Sequence, residues 1–273
     1  MSKFQAVAVG LRANVLAALF GLCFLVSPAR AAAEEITVAA AADLKFAMTD
    51  VVGQYENQTG NKVNVTYGSS GNFFSQLQNG APFDLFFSAD IDYARKLDAA
   101  GISEPGTLYV YAIGRICIWT PPDSKLDVSA LGWKALLDAS VQKIAIANPE
   151  HAPYGRAAVE AMKKAGIYEQ VKGKLVYGDN ISQAAQFLQT GSAQAGIVAL
   201  SLAISRAMKD GKRWAIPEDA HPPIEQAAVL MKNAKNKETA RAFLQFVKTD
   251  AARATLAKYG FTFPEKKGLP RDL

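Results

Sequence analysis

Four short stretches of this chain set small, turn-forming residues beside groups able to hold an anion. They are Ala41-Ala42-Asp43, Gly68-Ser69-Ser70-Gly71, Ala152-Pro153-Tyr154-Gly155 and Asp179-Asn180-Ile181. Each falls where an apolar run gives way to a helical pattern. The first turn of a helix carries amide hydrogens without an intrahelical acceptor, and a partial positive charge. Several such helix starts aimed at one point hold an anion without any Lys or Arg. Small residues let the backbone itself approach the ligand. Taken singly, the same residues are ordinary structure: Ser70 or Asp43 as an N-cap, Tyr154 as a packed aromatic with a wet hydroxyl. Their recurrence at four junctions is what points to a binding site.

Other chemistries lack their signatures. The Gly-Ser loop has no Lys-Ser/Thr ending, which disfavours nucleotide phosphate binding. Ser69 or Ser70 with His151 could be drawn as a hydrolase triad, but there is no G-x-S-x-G elbow. A secreted hydrolase is therefore a distant alternative, and no enzyme activity is expected. His151 and His221 stand far apart, outside any H-x-x-x-H arrangement, so a catalytic zinc site is not expected, nor is any cofactor. No Lys/Arg cluster or basic aromatic-interleaved patch suggests nucleic acid.

The first residues are of a different kind. Lys3 and Arg12 precede an apolar run over residues 15–26, followed by Ser27-Pro28-Ala29-Arg30-Ala31-Ala32-Ala33. This is the pattern of a secretory signal peptide, cleaved near Ala31 or Ala33, and it predicts a periplasmic protein. Without this leader the formal net charge falls from +5 to +2, since Lys3, Arg12 and Arg30 leave with it. Cys23 also leaves, so Cys117 stands alone and no internal disulfide can form. At 273 residues, half of them hydrophobic, the chain can bury a substantial core.

The junctions sit in an alternating α/β pattern. Ile36-Thr37-Val38-Ala39-Ala40, Lys62-Val63-Asn64-Val65-Thr66-Tyr67 and Phe83-Asp84-Leu85-Phe86-Phe87 read as strands, each followed by a helical segment. The order predicts a mostly parallel sheet with helices on both faces. Residues 109–119 read as one long apolar strand leaving the first unit. The alternation restarts at Lys143-Ile144-Ala145-Ile146-Ala147, runs through Leu175-Val176-Tyr177 and Gly196-Ile197-Val198-Ala199-Leu200, and ends in two helices over residues 237–259. The expected organisation is a leader (1–33), a first lobe (34–114 and 229–273) and a second lobe (115–228). Ligands in such folds lie beyond the carboxyl ends of strands and in clefts between domains.

At these same loops the sequence resembles the periplasmic molybdate-binding proteins of ABC transporters. The matching stretches are Val38-Ala39-Ala40-Ala41-Ala42-Asp43-Leu44-Lys45, Tyr67-Gly68-Ser69-Ser70-Gly71, Gly80-Ala81-Pro82-Phe83-Asp84-Leu85-Phe86-Phe87-Ser88-Ala89-Asp90, Ala147-Asn148-Pro149-Glu150-His151-Ala152-Pro153-Tyr154-Gly155 and Gly191-Ser192-Ala193-Gln194-Ala195-Gly196-Ile197-Val198-Ala199-Leu200-Ser201. The resemblance implies a two-lobed periplasmic-binding fold of the second type. It implies molybdate, and tungstate with it, held between the lobes by hydrogen bonds, so that the metal is held only as its oxyanion. It implies a monomer that docks on the permease of an importer driven by an ATPase. By motif position, Ser70 donates its hydroxyl and amide, Tyr154 its hydroxyl, and Ile181 an amide, with Ala42 and Asp43 in the first anion loop. A second subgroup carries its tyrosine where this chain has Ala199.

Asp43 departs from the family, which has Ser, Thr or Asn there. A carboxylate facing a dianion repels it. Three arrangements are compatible with the sequence. Asp43 caps its own helix and offers only its amide, which is the expected case because Asp is a common cap. Alternatively it accepts a proton from a protonated oxyanion, which would favour phosphate over molybdate, or it is itself protonated by burial. Receptors for phosphate or sulfate are the alternative within the same class.

Overall fold

A computed structural model describes residues 33–264; residues 1–32 of the expected leader lie outside them. In chain order the elements are β1 (Glu35–Ala41), α1 (Lys45–Thr59), β2 (Lys62–Gly68), α2 (Ser70–Gln78), β3 (Leu85–Ser88), α3 (Ile91–Ala99) and β4 (Tyr109–Gly114). Then come β5 (Ile116–Thr120), α4 (Val128–Leu131), β6 (Ile144–Ala147), α5 (Pro153–Lys164), α6 (Tyr168–Val171), β7 (Leu175–Gly178), α7 (Ile181–Gln189), β8 (Ala195–Ala199), α8 (Leu200–Ala203) and β9 (Lys212–Ala215). The chain finishes with β10 (Ile224–Leu230), α9 (Lys237–Val247) and α10 (Asp250–Lys258).

These strands form two five-stranded sheets, ordered β2-β1-β3-β10-β4 and β7-β6-β8-β5-β9. The two share one plan. In the first, β2 and β3 flank β1 in parallel, and antiparallel β10 and β4 complete the sheet. In the second, β7 and β8 flank β6 in parallel, and antiparallel β5 and β9 complete it. The central strands are apolar and buried along nearly their whole length, as strands covered on both faces must be. This is the two-lobed α/β architecture that the alternating pattern predicts.

The long apolar stretch of 109–119 is two strands in two sheets. It breaks at Arg115, where the chain leaves the first lobe. The chain returns between β9 and β10, through His221-Pro222-Pro223. All of β10 pairs with strands of the first sheet, so the expected lobe boundary at residue 228 falls inside this strand. Its uniform apolar character hides the crossing, which is marked by the paired prolines instead. Strand β9, an edge strand against β5, has no sequence signature beyond Trp214.

Two packed layers hold the first lobe together. On one face Tyr55, Phe87, Tyr111 and Phe243 form an aromatic cluster under α1, α9 and α10. The other face buries Phe73, Phe86 and Leu97 under α2 and α3. Helix α9 presents Ala240, Phe243, Leu244 and Val247, spacing that makes one apolar stripe. The Phe243 ring meets Tyr55 edge-on at 5.0 Å and Phe87 at 6.2 Å, which anchors the returning tail to the first sheet. In the second lobe, Cys117 lies fully buried in the core and burial pushes its thiol up to about 12, so it behaves as a small apolar side chain.

Phe243→Ala should therefore lower the unfolding free energy by about 3–5 kcal/mol, the usual range for emptying a buried aromatic position. Denaturant unfolding of the purified protein measures this, and a change under 1 kcal/mol would show that the tail is not anchored there.

Candidate functional site

The parallel strands of both sheets end at the same place, and the residues that follow them meet across the cleft. Ala41 pairs with Gly68 at the ends of β1 and β2, and Ala147 with Gly178 at the ends of β6 and β7. Beyond these ends lie the 3-10 turn Ala42–Leu44 and the starts of α2, α5 and α7. Ala42, Asp43, Ser70, Tyr154 and Ile181 all line one small cavity, together with Ala41, Gly68, Ser69, Ala89, Ala152 and Pro153. Its volume is about 10 Å³, near the least that admits one water-sized sphere, so the walls are close. The five residues expected from sequence are thus brought together, from both lobes.

Local chemistry fixes each wall. Ser69 is the N-cap of α2, its hydroxyl accepting from the Asn72 amide at 3.3 Å. Ser70 is consequently not the cap but the first helical residue. Its Oγ accepts from the Ala89 amide at 2.9 Å, which holds the hydroxyl in place and leaves its hydrogen for another acceptor. Asn180 caps α7, accepting from the amides of Ser182 and Gln183. These caps satisfy later amides of the first turn and leave those of Ser70 and Ile181 at the cavity. Pro153 opens α5, a position where its missing N–H costs nothing, and places Tyr154 next. Gly155 must follow, because a Cβ there would stand 2.2 Å from the Ala147 carbonyl oxygen.

Asp43 does not cap its helix. The turn at Ala42–Leu44 has no side-chain cap, and the carboxyl points elsewhere. Its Oδ2 accepts from the Tyr154 hydroxyl at 2.8 Å and from the Gln226 Nε2 at 2.7 Å. Gln226 Nε2 also donates to the Tyr154 hydroxyl oxygen at 2.9 Å, and its Oε1 accepts from Tyr111 at 2.6 Å. The physical reason is that buried neutral donors from two other elements compete successfully for the carboxyl. Its other oxygen, Oδ1, is buried and has no partner among the described residues. Asp43 is 1% exposed, and no Lys or Arg lines the cavity. Burial pushes its carboxyl up from the usual range to about 6, against the smaller opposing pulls of the Gln226 and Tyr154 hydrogen bonds and of the Asp43 and Leu44 backbone amides. Burial and the nearby Asp43 carboxyl likewise push Tyr154 and Tyr111 well above the usual phenol range.

Further contacts seal the cleft. The Gly71 amide donates to the His151 carbonyl at 2.9 Å, Ser182 Oγ to the Ala42 carbonyl at 2.9 Å, and Ser201 Oγ to the Asp43 carbonyl at 2.8 Å. Arg156 pairs with Asp90 across the mouth, its guanidinium 5.6 Å from the centre of the Tyr93 ring. A larger hollow of about 400 Å³ opens beside this pair, lined by Asp92, Arg95, Glu160 and Pro223 among others. The starts of α3 and α5 reach it, whereas the small cavity gathers the turn after β1 and the starts of α2, α5 and α7, so the small cavity is the better site despite its size.

Sequence reasoning missed Gln226, Tyr111, Ser182 and Ser201. Gln226 had a readable signal: it is the one amide in the apolar run Ile224-Glu225-Gln226-Ala227-Ala228-Val229-Leu230, and it is fully buried. Gly114 also had one, since a Cβ at that residue would meet the Tyr154 hydroxyl at 2.2 Å and Gln226 Nε2 at 2.7 Å.

Comparison with known proteins shows the family and the fold. The model of the bacterial extracellular solute-binding protein family matches residues 36–262. The molybdate-binding protein ModA of Rhodobacter capsulatus is 37% identical over 91% of this chain and 94% of its own. That of Azotobacter vinelandii is 38% identical over 85% of this chain and 91% of its own. The solved structure of the Azotobacter vinelandii periplasmic molybdate-binding protein superposes with a TM-score of 0.79 at 33% identity, covering 84% of this chain and all of that one.

The buried carboxyl has a cost that pH reveals. Below the unfolded carboxyl's range both states hold the proton and nothing is lost. As pH rises from there through about 6, the folded state keeps a proton that the unfolded state releases, and stability falls by roughly 3 kcal/mol at most. Asp43→Asn should therefore unfold at higher temperature than the parent at about pH 7.5, with the gap closing toward about pH 4. Equal melting temperatures at both would mean that the carboxyl carries no burial penalty.

Proposed function

The chain belongs to the bacterial extracellular solute-binding protein family, and from that premise we propose that it captures a small tetrahedral oxyanion, molybdate and with it tungstate, for an ABC importer. The observation that carries the reading is the convergence of helix starts from both lobes, with the Ser70 hydroxyl among them and no cation in the wall. Such a site favours a dehydrated anion held by directed hydrogen bonds. It needs no cofactor and no covalent step. The relatives named above bind molybdate by their names, which supports the choice among oxyanions.

In this reading the anion takes the amides of Ala42, Asp43, Ser70 and Ile181 and the hydroxyls of Ser70 and Tyr154. The Tyr154 hydrogen points at Asp43 in the structure. Gln226 already donates to both Asp43 Oδ2 and the Tyr154 oxygen, so the tyrosine hydrogen is released to the anion by rotation about the C–O bond. The protein works as an exported, periplasmic monomer that closes on its ligand, docks on the permease, and releases the anion as the ATPase acts. A second reading has one observation in its favour: the unpartnered Asp43 Oδ1 would accept a hydrogen from a protonated oxyanion such as hydrogen phosphate.

Thermal unfolding of residues 34–273 with molybdate, tungstate, sulfate, phosphate or chromate separates the readings. Ligand at 100 times its dissociation constant adds about 2.7 kcal/mol, an easily seen rise. Molybdate and tungstate should raise the transition, and a response to phosphate alone would transfer the assignment to phosphate. Ser70→Ala and Tyr154→Phe should each weaken binding by about 1.5–3 kcal/mol, roughly 10- to 150-fold. Unchanged affinity on titration calorimetry would remove that residue from the site.

A further inference from the structure

A dianion entering this cavity meets a carboxyl oxygen. Asp43 lines the cavity; its Oδ1 is buried with no hydrogen-bond partner among the described residues, while Oδ2 is held by Tyr154 and Gln226. The two oxygens are therefore unequal, and Oδ1 is the one left to interact with a ligand. An ionised Oδ1 can only repel an anion oxygen, and the low-dielectric surroundings strengthen that repulsion. A protonated Oδ1 would donate to the same oxygen, as a neutral amide or hydroxyl would.

We propose that Asp43 makes anion capture proton-coupled: the bound state carries one proton on Asp43 Oδ1, which donates a hydrogen bond to the anion. The inference rests on the oxyanion reading of the site and extends it to how the site selects and releases its ligand. No bond to the metal centre forms or breaks. One proton is taken from solvent for each dianion bound, so the occupied cavity gains one unit of negative charge rather than two relative to the empty, ionised one.

The surroundings leave Asp43 as the group that titrates. Tyr154 faces it from α5 and Gln226 from β10, with Tyr111 of β4 behind Gln226. Both tyrosines are held neutral by burial. Ser201 of α8 bonds the Asp43 carbonyl, Ser182 of α7 bonds the carbonyl of Ala42, and the start of α2 contributes Ser69 and Ser70. Lys45, next on the 3-10 turn's own segment, is exposed, and the Asp90–Arg156 pair satisfies itself at the mouth. The empty site already holds its proton up to about 6, and a bound dianion moves that point higher still. Affinity is consequently greatest below the free value and falls as pH rises above it.

Titration calorimetry with molybdate between about pH 6.5 and 8.5 reads this directly. The parent protein should lose about tenfold in affinity per pH unit, and heats measured in two buffers of different ionisation enthalpy should report uptake of about one proton. Asp43→Asn places an amide donor where the protonated acid stands, so its affinity should be flat with pH and about 100-fold above the parent at pH 8. Buffer-dependent heats need no variant and so stand even if Asp43→Asn folds poorly. Binding by the parent that is flat in pH, with no proton uptake, overturns the coupling and leaves the oxyanion reading intact. Absence of binding by parent and variant at every pH overturns the oxyanion reading, and the coupling with it.

Discussion

A carboxyl buried without a cation can survive only if neutral donors hold it in place, and here the carboxyl and its two donors come from three separate parts of the fold. Asp43 stands on the first turn after β1, Tyr154 on the first turn of α5 in the other lobe, and Gln226 on the strand that brings the chain back. The triangle closes only when the two sheets end at the same level and the cleft is shut. That requirement explains several otherwise unrelated features. Gly114 has no side chain because the Tyr154 hydroxyl and the Gln226 amide occupy the space where one would be. Gly155 has none because α5 starts directly on the end of β6. Tyr111 sits behind Gln226 and fixes which end of its amide is the donor.

The same arrangement divides labour between backbone and side chains. Caps from Ser69 and Asn180 use side chains to satisfy amides deeper in their helices. The outermost amides then remain for a ligand. Charge recognition is left to the peptide dipoles and to hydroxyls, which are weak singly and directional together. A site of this kind discriminates by shape and by the count of donors and acceptors, rather than by net charge. In such a setting one residue that can be either acceptor or donor, depending on a proton, has more influence than it would beside a lysine.

The alternation of apolar and helical segments made the two α/β lobes legible, because strands covered on both faces leave continuous apolar runs and their helices leave 3.6-residue spacing. The four junctions were legible because anion-holding helix starts need small residues and caps. Which serine does the capping was not, since Ser69 and Ser70 are chemically identical and only the turn geometry separates them. An aspartate at a helix start reads as a cap, because that is its usual local use. Its partners are 111 and 183 residues away, and no local pattern reveals them. The crossing before β10 was hidden for a related reason: Ile224–Leu230 reads as one buried strand whichever lobe it serves.

One of the bonds across the cleft is made by peptide groups alone. The Gly71 amide donates to the His151 carbonyl, and a Cβ on Gly71 would stand 2.6 Å from that oxygen. The bond exists only while the lobes touch, and no side chain contributes to it. Exchange of that one amide hydrogen with solvent deuterium is therefore a built-in clock for opening of the cleft. Its rate counts how often the jaws part, free of any label, and slows in proportion to the time a guest keeps them closed.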